Sequence, residues 1–290
     1  MDQAATLRQI SRKKTTSQSG KAREKTASHK KNICVISITS GKGGVGKTNI
    51  AANLAYTLAG MKKRTLVLDG DCGLANIDLI LGLTPVYNLH HVLNGEKTLR
   101  EIIIDGPGGI KILPSSSGIQ EMSALSMNQK LALQDEFKVL QSPPEFVLID
   151  TSAGITENVM YFNMVAREII VVVTPEPTSL TDAYALIKIL YRRHAKKRFR
   201  LLVNMVKSPD EAKEVYLRLA QATNHFLQLA IEYLGYILYD ENMSKAVKKQ
   251  KLLAELYPDS PSIKCLREVA EKLCQPSQDN ENDGIAGLFD

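Results

Sequence analysis

Gly41-Lys42-Gly43-Gly44-Val45-Gly46-Lys47-Thr48 is the stretch on which the fold turns. It follows the apolar run Ile33-Cys34-Val35-Ile36-Ser37-Ile38-Thr39 and opens a segment of helical pattern, so the loop joins a strand to a helix. Its glycines let backbone N–H groups converge on an anion without Cβ clashes, and the N-terminus of the following helix adds partial positive charge. The Lys47 ammonium would reach the terminal phosphates of a nucleoside triphosphate, and the Thr48 hydroxyl would bind the accompanying Mg2+. Gly41, Gly43 and Gly46 also satisfy G-x-G-x-x-G, with Asp69 lying 23 residues beyond the last of them, as in a dinucleotide site. That alternative gives Lys47 and Thr48 no task, and the phosphate loop is preferred.

Outward from the loop, compact apolar runs alternate with helical stretches, the pattern of a doubly wound, mostly parallel α/β sheet with helices on both faces. Strands are expected at 33–39, 65–69, 110–114, 146–150, 168–174, 200–206 and 233–238, and helices at 47–59, 127–141, 181–193, 209–226, 243–253 and 262–273. Two apolar strands end in acids: Leu66-Val67-Leu68-Asp69-Gly70-Asp71 and Phe146-Val147-Leu148-Ile149-Asp150. Ligands of such sheets bind beyond the carboxyl ends of the strands, so Asp69, Asp71 and Asp150 are expected to converge on the phosphates. One such aspartate is often a turn or cap; three in this topology point to metal and water.

The formal charge of +6 on 290 residues is unevenly spread. Residues 1–31 hold nine Lys or Arg against two acids, net +7, and leave 28 against 29, net −1, for the rest. A nearly neutral body gives little support to a general polyanion binder. Residues 11–31 are rich in Lys, Ser and Thr and lack the apolar side chains that repay ordering, which marks them as a flexible basic linker. Ahead of them Ala4, Leu7 and Ile10 fall at helical spacing in a short segment, 1–10. The ATPase-like domain is expected over 32–275 and an acidic flexible tail over 276–290. Cys34, Cys72, Cys265 and Cys274 show no C-x-x-C spacing, no apolar stretch is long enough to span a bilayer, and the first thirty residues lack the apolar centre of a secretory signal. A reducing, cytoplasmic setting is expected.

The loop and its acids resemble the deviant Walker A ATPases, the family of MinD, ParA, the nitrogenase iron protein and the arsenite-pump ATPase. Their mark is a second lysine early in the loop, here Lys42. The resemblance implies ATP and Mg2+ as cofactors and an ATP-dependent homodimer in which Lys42 reaches the partner's nucleotide. It implies catalytic roles for Lys42, Lys47 and Asp71, the last positioning the hydrolytic water. Thr48, Asp69 and Asp150 would organise the metal, and Asn204 would contact adenine. Within the family the chain is similar to the flagellar-number regulators called FlhG, FleN or YlxH. That likeness runs through Asp2-Gln3-Ala4-Ala5-Thr6-Leu7-Arg8, Gly73-Leu74-Ala75-Asn76-Ile77-Asp78, and Lys245-Ala246-Val247 onward to Leu256-Tyr257-Pro258. It implies that Asp2, Gln3, Leu7 and Arg8 activate an FlhF-type GTPase, with Gln3 supplied in trans. Flagellar basal-body or transcriptional regulator proteins are further implied partners, and the inner face of the membrane or the cell pole an implied location. The tail departs from the family's basic membrane helix, since Glu281, Asp283 and Asp290 would be repelled by anionic lipid. The rival within the family is a ParA-type segregation ATPase, holding DNA through Arg192, Arg193, Lys196, Lys197, Arg198 and Arg200, or through Lys245, Lys248, Lys249 and Lys251. A second rival, the iron–sulfur carrier, is disfavoured by the cysteine spacing.

Overall fold

The computed structural model describes residues 33–71, 77–114, 126–138, 140 and 142–275. In chain order the elements are β1 (Cys34–Ser40), α1 (Lys47–Gly60), β2 (Thr65–Gly70), α2 (Ile77–Leu81), α3 (Leu89–Leu93), α4 (Leu99–Ile102), β3 (Ile104–Asp105), β4 (Lys111–Leu113) and α5 (Met127–Lys138). Then follow β5 (Phe146–Ala153), α6 (Glu157–Val165), β6 (Glu168–Val173), α7 (Pro177–His194), β7 (Arg200–Val206), α8 (Pro209–Leu227), β8 (Glu232–Leu238), α9 (Glu241–Lys248), α10 (Leu253–Leu256) and α11 (Pro261–Cys274). The strands form one sheet in the order β3-β4-β2-β5-β1-β6-β7-β8. Every pairing is parallel except β3 with β4.

Alternation along the strands builds a core on each face of the sheet. Val35, Leu66, Leu68, Val147 and Ile149 join one buried cluster with side chains of α6, α7 and α8. Ile36, Ile38, Val67 and Leu148 join the other with α1, α10 and α11. The central strands are therefore buried on both sides, which is why they read as unbroken apolar runs. The expected helix over 262–273 packs Ile263, Leu266, Val269, Ala270 and Leu273 on the second face.

The expected strands and helices are present with small shifts at their ends, and one helix is corrected. The run 243–253 is two helices, α9 and α10, because Gln250 takes φ +52° and turns Leu252 and Leu253 into the core. Four short helices and β3 have no counterpart in the sequence expectation. The segment α6 is apolar around its circumference, with Val159, Met160, Tyr161 and Phe162 all buried, so it lacks the period of an amphipathic helix. The expected segments 1–10, 11–31 and 276–290 lie outside the described residues.

One buried amide joins distant parts of the second face. Asn53 on α1 donates to Asn49 O at 2.8 Å and accepts from Ala254 N on α10 at 2.9 Å. Replacing Asn53 by Ala leaves the Ala254 amide without its acceptor, and the expected loss is about 1–3 kcal/mol of unfolding free energy in urea titration.

Candidate functional site

The sheet order places β1, β5 and β2 side by side, and each strand delivers its last residues to the same edge. Asp69 and Asp150 are register partners on β2 and β5, and Asp150 is the partner of Ile38 on β1. Neighbouring strands lie roughly 4.8 Å apart, so the two carboxylates and the loop after β1 share one small volume. The β5 end carries one extra residue against β1, between the Ile38 and Ser40 pairings. Two bonds fasten it there: Thr151 Oγ1 donates to Ile38 O at 3.1 Å, and Gly154 N donates to Ser40 O at 2.9 Å.

The loop itself is cut to fit. Gly44 and Gly46 have φ of +78° and +91°, in the left-handed region where a Cβ is costly. A Cβ on Gly46 would also lie 2.5 Å from Asn204 Nδ2, and one on Gly41 only 2.2 Å from Asp182 O of α7. Asn204 braces the loop from behind by donating to Val45 O at 2.8 Å. Ser40 Oγ donates to Lys42 O at 2.7 Å and accepts the Lys47 ammonium at 2.9 Å.

Lys47 is buried, and burial lowers its pKa against the attraction of Asp150 and Asp71. Burial likewise pushes Asp150 up to about 7; the Thr48 hydroxyl bond and Lys47 oppose that rise, while Asp69 and Asp71 add to it. Asp69 Oδ1 accepts from Asp71 N at 3.0 Å, which ties the last acid of β2 to the one just beyond its end. Asp150 Oδ1 is buried with no hydrogen-bond partner among the described residues. An orphaned carboxylate oxygen beside a hydroxyl, a second carboxylate and an ammonium is chemistry suited to a cation and phosphates. Among the described residues no three His, Cys, Asp or Glu side chains are placed to hold a metal unaided. Mg2+ is usually held by one or two carboxylates together with water and phosphate oxygens, and Asp69 and Asp150 stand side by side on β2 and β5.

Lys42 behaves differently from Lys47. Its ammonium lies at the surface on its own chain, donating to Glu176 and, at 2.9 Å, to Thr178 Oγ1 at the start of α7. Asn204 also borders a pocket of about 100 Å³ beside Gly46, together with Asn49, Met205, Tyr239, Asp240 and Met243. Met205 holds φ +60°, a strained conformation for a side-chain-bearing residue. Ser40, Glu176, Thr178, Met205 and Tyr239 were not singled out from sequence; a non-glycine left-handed residue has no sequence signature, and α7 meets the loop only through the fold. The structure brings Gly41 to Thr48, Asp69, Asp71, Asp150 and Asn204 together, whereas Asp2, Gln3, Leu7 and Arg8 lie outside the described residues.

Residues 36–253 match the CobQ/CobB/MinD/ParA nucleotide binding domain. The chain belongs to this family. It is 45% identical over 241 residues to the antiactivator FleN of Pseudomonas aeruginosa, covering 83% of this chain and 86% of that one. It is 37% identical over 244 residues to the flagellum site-determining protein YlxH of Helicobacter pylori, covering 83% and 82%. Its fold matches the septum site-determining protein MinD of Pyrococcus horikoshii, solved with Mg-ADP, with a TM-score of 0.65 and 26% identity over 84% of this chain and 96% of that one. This MinD/ParA-type protein is a nucleotide-binding ATPase.

The raised pKa of Asp150 has a definite sign for stability. Below about pH 4 the group is protonated folded and unfolded, and burial costs nothing extra. Between there and about pH 7 only the unfolded chain ionises, so stability falls as pH rises, and above pH 7 the full cost is carried. Asp150→Asn is therefore expected to melt above the parent at pH 8, with the gap closing as pH drops toward 4; thermal unfolding across that range measures it.

Proposed function

We propose that this ATPase is an ATP-dependent dimerising switch that sets flagellar number or placement. ATP is bound by residues 41–48 with its adenine beside Asn204, and Thr48, Asp69 and Asp150 hold Mg2+. The metal supplies charge neutralisation for phosphates in a dry site. The backbone amides of the loop and Lys47 bind and orient the phosphates, and Asp71, at the half-buried mouth, orients the attacking water. The observation that carries the dimer is the position of Lys42: its ammonium lies at the partly exposed rim of its own chain, paired among the described residues only with Glu176 and Thr178, where it is free to exchange Glu176 for a second molecule's nucleotide.

The output follows the relatives. FleN is named an antiactivator and YlxH a flagellum site-determining protein, and both align over more than four-fifths of this chain. We assign residues 1–10 the task of stimulating an FlhF-type GTPase through Gln3, residues 11–31 that of tether, and the ATP-bound dimer that of presenting surfaces to flagellar or transcriptional regulators. The protein works in the cytoplasm or at the inner face of the membrane. Among the described residues no helix is long and apolar enough to cross a membrane.

Asp71→Ala is expected to lower ATP turnover by about 100-fold or more and to hold the full-length protein at dimer mass in ATP by light scattering. Turnover equal to the parent would remove Asp71 from its role. For the output, the full-length protein is expected to raise the GTPase rate of purified FlhF, and Gln3→Ala to abolish that rise while keeping its own ATP hydrolysis.

A further inference from the structure

The helix α6 packs against all three strands whose ends form the phosphate site, β5, β2 and β1. Its N-terminus follows directly on the end of β5 that carries Asp150, and Thr156 caps it by accepting from Val159 N. Phe162 backs the end of β2. A Cβ on Gly70, between Asp69 and Asp71, would lie 3.0 Å from the Phe162 ring and 2.9 Å from Asp150 O. The next residue, Asn163, is fully buried and spends its whole amide on fixed partners. It accepts from Ser37 Oγ at 2.7 Å and donates to Thr39 Oγ1 at 3.2 Å and to Val159 O at 2.7 Å.

Ser37 and Thr39 stand on the face of β1 that otherwise joins a hydrocarbon cluster, and β1 continues through Ser40 to the loop and Lys47. Three hydrocarbon side chains of similar shape would fill the same space. A buried polar group repays its desolvation only where its bonds are made, so this network favours a single register of α6 on β1 where hydrocarbon tolerates several. The sliding of α6 along β1 would carry the Asp150 strand end and the Phe162 support of β2 with it.

We propose that Asn163 is a positioning residue for ATP hydrolysis, locking α6 to β1 so that Asp69, Asp71 and Asp150 keep their distances from Lys47 and Thr48. The inference rests on the assignment of those carboxylates to metal and water given above. Misplacement of catalytic groups by about 1 Å costs up to roughly 100-fold in rate, so the effect falls on turnover rather than on binding or stability.

The test compares full-length Thr39→Val, Thr39→Ser and the apolar triple variant Ser37→Ala/Thr39→Val/Asn163→Leu with Asp150→Asn, measuring kcat, ATP affinity and melting temperature. Thr39→Ser keeps the hydroxyl and is expected at the parent rate, Thr39→Val is expected to lose about 3-fold or more, and the triple variant about 10-fold or more. ATP affinity should stay within about 2-fold of the parent's. Parent turnover in the triple variant beside an inactive Asp150→Asn overturns the positioning role and leaves the carboxylate assignment standing. Full turnover in Asp150→Asn overturns that assignment instead. A loss of kcat matched by equal losses in affinity and melting temperature also overturns the proposal, since it reports general damage. If the triple variant fails to fold, Thr39→Val against Thr39→Ser decides, and equal rates in the two reject the inference.

Discussion

The enclosure of one ammonium and two carboxylates at three adjacent strand ends is the constraint on which the rest of the structure depends. Lys47, Asp69 and Asp150 are all buried. Charges brought out of water are tolerated only with close partners, and here the partners come from separate strands. The order β2-β5-β1 is what brings them together, and it requires each of these strands to be covered on both faces. Hence the two hydrocarbon clusters: they hold the sheet rigid, and they keep the site dry enough for its charges to act strongly on one another.

The protein's own groups leave the charge of the site poorly balanced, and the surrounding contacts follow from that. Asp150 has an oxygen with no partner among the described residues, and burial disfavours the ionised form of Asp150 and of Lys47 alike. Such a site does not hold itself in shape by its own attractions. The contacts that hold it from behind are neutral: Asn204 on Val45 O, Ser40 Oγ on Lys42 O, Thr151 on Ile38 O, and the backbone of α7 against Gly41. Neutral bonds of this kind keep their geometry whether the site is charged or not, which lets the loop and the strand ends stay in place while the charge between them changes.

Much of this was legible in the chain. Apolar runs ending in Asp69 and Asp150, and a glycine loop ending in Lys47-Thr48, specify both the sheet and the convergence of the site, because burial on two faces and phosphate geometry leave few residue types to choose from. What was not legible depended on neighbours far away in sequence. The helix α6 carries no period because each of its sides is covered, and α9 and α10 separate at a left-handed Gln250 that looks like any solvated polar residue. The capping box at Thr98 and Glu101 was a readable sign of α4, since each side chain serves the other's backbone amide. Glu176 and Thr178 could not be connected to Lys42 from the sequence, because the junction exists only once β6 is laid beside β1.

Two lysines five residues apart in one loop illustrate how position alone divides a single chemistry into two tasks. Lys47 is enclosed, its ammonium is fixed on Ser40, and it lies in the field of Asp150 and Asp71, where it opposes the rise in the Asp150 pKa that burial imposes. Lys42 is about one-third exposed, and its partner Glu176 more than half. An ion pair that open to water contributes only about 0–1 kcal/mol, so the contact can be given up for almost any stronger anion that approaches from outside. The loop thus holds one cation as part of its own architecture and lends the other to the surface. Its anchorage at the start of α7 means that Lys42 cannot leave without giving up its bonds to Glu176 and Thr178, so a change of the loop's partner is felt at the N-terminus of that helix.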